Sequence, residues 1–144
     1  MEIITTNAQE TEKLGETIGL DLKSGKIKNR VLAFYGDLGS GKTTFIQGLA
    51  KGLGIAKRLL SPTFVFCRQY ELEKGLLYHV DLYRIKEVQE AQGLGLEEMF
   101  TDRESVTLVE WADRIKEMLP RERLDIALEY MDNEQRKITI KSIK

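Results

Sequence analysis

Residues 36–43 read Gly-Asp-Leu-Gly-Ser-Gly-Lys-Thr, a spacing of glycines, lysine and hydroxyl suited to holding a chain of phosphates. Gly36, Gly39 and Gly41 let the backbone curl tightly and bring N–H groups against phosphate oxygens without Cβ clashes. Lys42 supplies a point charge to bridge the β- and γ-phosphates. The Thr43 hydroxyl is the expected Mg²⁺ ligand, because that ion takes hard oxygen donors. Hydrolysis at such a site also needs a carboxylate for Mg²⁺ or its water shell, and a group to orient the attacking water. Asp81 follows the apolar run 76–80, and Glu110 follows the apolar run 106–109. Both are strand-terminal acids of the required kind, and residue type alone does not decide which touches the metal. His79 alternates with Asp81, so the two share a strand face; a histidine satisfied within the sheet is the plainer reading. Thr63, Arg84 and Trp111 are weaker candidates, for a switch hydroxyl, phosphate neutralisation and stacking respectively.

The elements around these residues support the motif. The run 30–35 is apolar and aromatic, as a buried strand should be. Apolar residues at 45, 46, 49 and 50 open a helix that aims its positive dipole end at the loop. The loop therefore lies between a strand and a helix, the P-loop context. Upstream, 3–5 reads as an edge strand. Asn7 caps a helix with Glu10 completing a capping box, and Leu14, Ile18 and Leu22 form its apolar stripe up to Ser24-Gly25. Downstream, 64–72 and 76–80 predict a hairpin about Gly75, residues 85–100 predict short helical pieces, and 111–118 predict a helix stopped by Pro120. The alternating stretches 124–130 and 137–140 predict a closing hairpin. The expected fold is α/β: a three-layer P-loop NTPase-like arrangement with a mixed, mostly parallel central sheet and β-hairpin additions.

The 144 residues favour a single domain spanning 1–144. A composition 42% hydrophobic and 31% charged is that of a globular protein, and a net charge of −1 gives no global field to attract nucleic acid. One cysteine, Cys67, excludes an internal disulfide framework and reads as a small buried hydrophobe. No stretch has the length of a membrane span, and the first residues lack a signal-peptide pattern, so the cytoplasm is the expected compartment.

The four segments 36–44, 61–64 (Ser-Pro-Thr-Phe), 79–84 (His-Val-Asp-Leu-Tyr-Arg) and 109–111 (Val-Glu-Trp) together resemble the bacterial TsaE family. That family is the ATPase of tRNA threonylcarbamoyladenosine biosynthesis. The resemblance spans roughly residues 5–140 and implies ATP and Mg²⁺ as cofactors. It also implies a TsaB–TsaD partner complex, through which tRNA is mainly held. It implies Lys42, Asp81 and Glu110 as catalytic residues, with Thr43 and Glu110 on Mg²⁺ and Asp81 serving catalysis or the water shell. The cofactor set it implies is Thr6, Asp37, Gly39, Ser40, Gly41, Lys42, Thr43, Thr44 and Arg136, with Thr6 and Arg136 flanking the base. Ser40 stands where the family commonly has Ala. Two other readings share the loop. A small-molecule kinase would need a lid and acceptor pocket. A GTP-dependent switch would need an Asn-Lys-x-Asp tetrapeptide, which the sequence lacks.

Overall fold

The computed structural model describes residues 1–37, 39–62 and 65–144, so Leu38, Thr63 and Phe64, with the switch role expected of Thr63, lie outside it. Seven strands form one mixed sheet, as expected of an α/β fold. They are β1 (Glu2–Thr5), β2 (Val31–Tyr35), β3 (Cys67–Glu71), β4 (Leu76–Asp81), β5 (Val106–Glu110), β6 (Arg123–Tyr130) and β7 (Arg136–Ile143), in the order β1-β7-β6-β2-β5-β4-β3. Parallel pairing joins β2 to β5 and β5 to β4, while β1–β7 and β3–β4 are antiparallel. Contacts gather the chain into two compact units. Among the described residues, no helix is long and apolar enough to cross a membrane.

The first unit comprises residues 1–28, 36–59 and 126–141. It contains α1 (Ala8–Ser24) and α2 (Lys42–Gly52). Asn7 caps α1, accepting from the Glu10 N–H at 2.9 Å, and Gly25 ends it in the left-handed region at φ 84°. The expected capping box forms one residue early: the Glu10 carboxylate accepts from the N–H and hydroxyl of Thr6, not from Asn7. The buried face of α1 is Thr11, Gly15, Ile18, Gly19 and Leu22, so the apolar stripe read from sequence is only part of it. The rest is Thr11 and two glycines, and the reason for the glycines is α2. A Cβ on Gly15 would strike the Phe45 carbonyl oxygen, and one on Gly19 that of Leu49. From the other side, a Cβ on Gly48 would strike the Glu12 carbonyl oxygen, and one on Gly52 that of Glu16. The two helices therefore meet backbone to backbone, closer than ordinary side-chain packing permits.

The second unit comprises residues 29–35, 60–125 and 142–144. Val31, Ala33, Val80 and Val109 present one sheet face to Leu96, Phe100, Ala112 and Ile115. These partners lie on α4 (Leu96–Thr101) and on a 3₁₀ segment (Ala112–Met118); α3 (Val88–Ala91) adds Ala91. The β3–β4 hairpin turns at Gly75, φ 71°, with Leu72 N–H donating to Gly75 O at 3.2 Å. The helix expected over 111–118 is corrected. Trp111 adopts a left-handed backbone (φ 60°, ψ 41°), and Ile115 (φ −132°, ψ 37°) kinks the 3₁₀ turns that follow. The parallel registers align Phe34 with Glu110 and Glu110 with Asp81, so these strands finish level.

The helix contact makes Gly48→Ala a sensitive change. Alanine has the better helix propensity by about 1 kcal/mol, but its methyl meets fixed backbone rather than a yielding side chain. The expected net outcome is a loss of roughly 1–3 kcal/mol in denaturant unfolding, against little change for Lys13→Ala on the exposed side of α1.

Candidate functional site

The loop that follows Tyr35 is built for an anion. Gly36 has φ 144°, and a Cβ there would come within 2.8 Å of Ser40 Oγ. Ser40 N–H donates to Asp37 O at 3.1 Å, which closes the turn. Gly41, at φ 102° and ψ 7°, forms the N-cap of α2 and, as glycine, brings no capping side chain of its own. The first intrahelical bond runs from Phe45 N–H to Gly41 O at 2.9 Å, so the preceding amides have no partner within the helix. Lys42, the first residue of α2, is only 6% exposed, an unusual burial for a lysine. Ser40 Oγ is buried with no hydrogen-bond partner among the described residues. A curled backbone, an uncapped helix head, a buried lysine and an orphaned hydroxyl fit a polyphosphate.

Beside the loop is a cavity of about 210 Å³, lined by Asn7, Gln9, Gly41, Thr44, Glu134 and Arg136 among others. Two helix N-termini meet it, that of α1 at Asn7 and that of α2 at Gly41. Arg136, in register with Thr5 across β7 and β1, lies against Gly41, where an added Cβ would approach its Nε at 3.5 Å. Its guanidinium sits over the Tyr130 ring, 4.5 Å from the centroid, and Nη1 donates to Gln135 O. Of the residues expected to bind cofactor, Gly41, Thr44 and Arg136 thus converge on one cavity. Thr6 does not line it; its hydroxyl and N–H bond Glu10 and hold that carboxyl below the usual range. Asp37, Gly39 and Thr43 are exposed on the loop and the first turn. Asn7, Gln9 and Glu134 are additions that sequence reasoning missed. Asn7 reads in sequence as a cap alone, and Glu134 carries no signal of its own there.

The acids lie in the second unit. Asp81 and Glu110 are in-register neighbours on parallel strands and so face the same side of the sheet. Each carboxylate has its own tether. Asp81 Oδ1 accepts from Tyr83 N–H at 2.9 Å, and Glu110 Oε2 lies 2.7 Å from His79 Nε2. The carbonyl of Glu110 accepts from Leu82 N–H at 3.2 Å. Next along the chain, Trp111 meets the Tyr83 ring edge-on with centroids 5.5 Å apart, and the Arg114 guanidinium lies 5.2 Å from the Trp111 centroid. Arg84 is exposed. Among the described residues, no group of three or more His, Cys, Asp or Glu side chains could hold a metal alone. The carboxylate oxygens of Asp81 and Glu110 are hard donors of the kind Mg²⁺ takes, and that ion usually combines one or two protein oxygens with substrate phosphates and water.

A family model for the threonylcarbamoyl adenosine biosynthesis protein TsaE matches residues 5–138. The chain belongs to the TsaE family. It is 41% identical over 139 residues to the tRNA threonylcarbamoyladenosine biosynthesis protein TsaE of Bacillus subtilis, covering 96% of this chain and 84% of that one. The protein of the same name from Aquifex aeolicus is 34% identical over 141 residues, covering 96% of this chain and 94% of that one. A crystal structure of Bacillus subtilis YdiB superposes with a TM-score of 0.78 at 35% identity, over 100% of this chain and 86% of the other. The match takes in the glycine loop, both strand-terminal acids and Arg136.

Cys67 is half-buried at the start of β3, and burial pushes its thiol up to about 11. Only the thiolate reacts, so alkylation of the native protein at neutral to mildly alkaline pH should run roughly a hundredfold slower than that of an ordinary thiol. The rate should climb as pH approaches the raised value, and unfolding in urea should remove the protection; mass spectrometry of iodoacetamide-treated protein checks both.

Proposed function

We propose that this TsaE-family chain is a Mg²⁺-dependent ATPase that acts in the cytoplasm in threonylcarbamoyladenosine modification of tRNA beside the anticodon, in concert with a TsaB–TsaD complex. The observation that carries the ATPase reading is the glycine-lined loop with its uncapped helix head and buried Lys42. Family membership supports the pathway, since the relatives are named for tRNA threonylcarbamoyladenosine biosynthesis. In this reading the backbone amides of the loop, Ser40 Oγ and Lys42 take the phosphates. The cavity of about 210 Å³ is smaller than the roughly 300–1,000 Å³ of pockets that enclose a whole ligand. It takes the base end, with Asn7, Thr44 and Arg136 around it. The sequence has no Asn-Lys-x-Asp tetrapeptide to read guanine, which favours ATP.

Thr43 and Glu110 are the proposed holders of Mg²⁺, a role that rests on motif and donor chemistry. The ion would neutralise charge that develops on the β- and γ-phosphate oxygens. Lys42 adds fixed positive charge at the same oxygens. Asp81, tethered by Tyr83 N–H, orients the attacking water or the metal's water shell. Water oxygen bonds to the γ-phosphorus, the bridging oxygen leaves with ADP, and the proton is released to solvent with phosphate.

ATP turnover, measured with and without a TsaB–TsaD complex and tRNA, tests the proposal. Turnover should be slow alone and rise with the complex; turnover indifferent to the complex removes the partner assignment. Lys42→Ala should lower kcat by about 10²–10³. Asp81→Ala should keep nucleotide binding and lose turnover, whereas Glu110→Ala should weaken Mg²⁺-dependent binding. Absence of ATP binding by the wild-type chain would sink the whole reading.

A further inference from the structure

His79 has a placement that the ATPase chemistry above leaves unused. It is 5% exposed, on the β4 face shared with Asp81, and in register with Leu108 on β5. Glu110 stands two residues further along β5, and its side chain is 13% exposed. The imidazole Nε2 and Glu110 Oε2 are 2.7 Å apart, a short bond for a nitrogen donor. An ionised carboxylate only accepts, so Nε2–H donates. The other ring nitrogen, Nδ1, is buried with no partner among the described residues. Among the described residues, the ring's polar contact is therefore with Glu110.

That contact fixes a side chain with three rotatable bonds. It occupies Oε2 and leaves Oε1 as the carboxylate oxygen available to a ligand. Histidine and carboxylate commonly form such pairs at metal sites, where the outer partner orients the ligating group. Here the order is reversed: the carboxylate is the proposed ligand and the histidine its support. Glu110 is fixed at its backbone as well, through the bond from Leu82 N–H to its carbonyl.

We propose that His79 is a positioning residue that orients the Glu110 carboxylate for Mg²⁺. The inference rests on the Mg²⁺–ATP reading above. A histidine that merely satisfies the sheet would matter for folding and for nucleotide binding of every kind. A positioning histidine matters only when the metal is present.

Two variants separate these roles. His79→Gln can place an amide N–H close to the Nε2 position, whereas the shorter side chain of His79→Asn corresponds to Nδ1 and cannot reach Oε2. Binding of unlabelled ATP is measured by calorimetry in EDTA and across a Mg²⁺ titration. In EDTA both variants should bind within about twofold of wild type. The Mg²⁺ concentration for half-maximal gain in affinity should rise about 10–100-fold in His79→Asn and stay within about threefold in His79→Gln. On a Glu110→Gln background, His79→Asn should add nothing further. Should His79→Asn fail to fold by thermal melting, His79→Leu, which also lacks a donor, is read in its place. Equal losses with and without Mg²⁺, an unchanged Mg²⁺ dependence, or failure of both donorless variants to fold while His79→Gln folds would overturn the proposal. A wild-type chain that binds ATP but gains nothing from Mg²⁺ overturns the metal reading itself, and this inference with it.

Discussion

The backbone contact between α1 and α2 is the constraint on which the glycine loop before α2 depends. Gly15, Gly19, Gly48 and Gly52 leave room for each helix to lie against the other's carbonyls. A side chain at any of these positions would force the helices apart. The separation matters because both helices bring their N-termini to one cavity, at Asn7 and Gly41. Each N-terminus carries partial positive charge, and Arg136 adds a full one between them and Tyr130. Glycine weakens a helix by about 1 kcal/mol relative to alanine. Four of them in two helices are a local cost offset by the close packing they permit.

The acids obey a different constraint. Asp81 and Glu110 are in-register neighbours on parallel strands, and like charges so placed repel. Separate tethers keep them from competing for one donor. Tyr83 N–H takes Asp81 through a local two-residue turn, and His79 takes Glu110 across the sheet. Two carboxylates at neighbouring strand ends are thereby given distinct environments.

Much of this was legible in the sequence because it is local. The glycine loop, the strand before it, the helix after it and the acids at 81 and 110 all follow from short-range pattern, and the elements stand where expected. The hairpin at Gly75 and the short helices broken at Gly93 and Gly95 were legible for the same reason. What escaped depends on distance. A glycine inside a helical pattern reads as a weakness until a partner helix is seen to occupy the space. Asn7, Glu134 and Arg136 make one cavity only through the pairing of β1 with β7 and the turn before β7. Alternation put His79 and Asp81 on one face, but only the parallel register of β4 with β5 identifies Glu110 as the partner of His79.

Trp111 shows why a local rule failed where it did. Residues 111–118 carry helical signals, yet Trp111 takes a left-handed backbone, a conformation costing a non-glycine residue ~1–2 kcal/mol. Its ring contacts with Tyr83 and Arg114 offset that cost, and Arg114 is itself fixed by a 2.7 Å bond to Ile85 O. The reversal at Trp111 ends β5 at Glu110, level with Asp81. A helix begun at Trp111 would leave the strand in a different direction and would have no reason to hold the Glu110 carbonyl on Leu82 N–H. The left-handed Trp111 backbone stands next to a residue held both at its carboxylate, by His79, and at its carbonyl, by Leu82 N–H. The aromatic pair beside the acids is thus part of their support, and it links the end of β4 to the end of β5 through side chains where the ladder of backbone bonds stops.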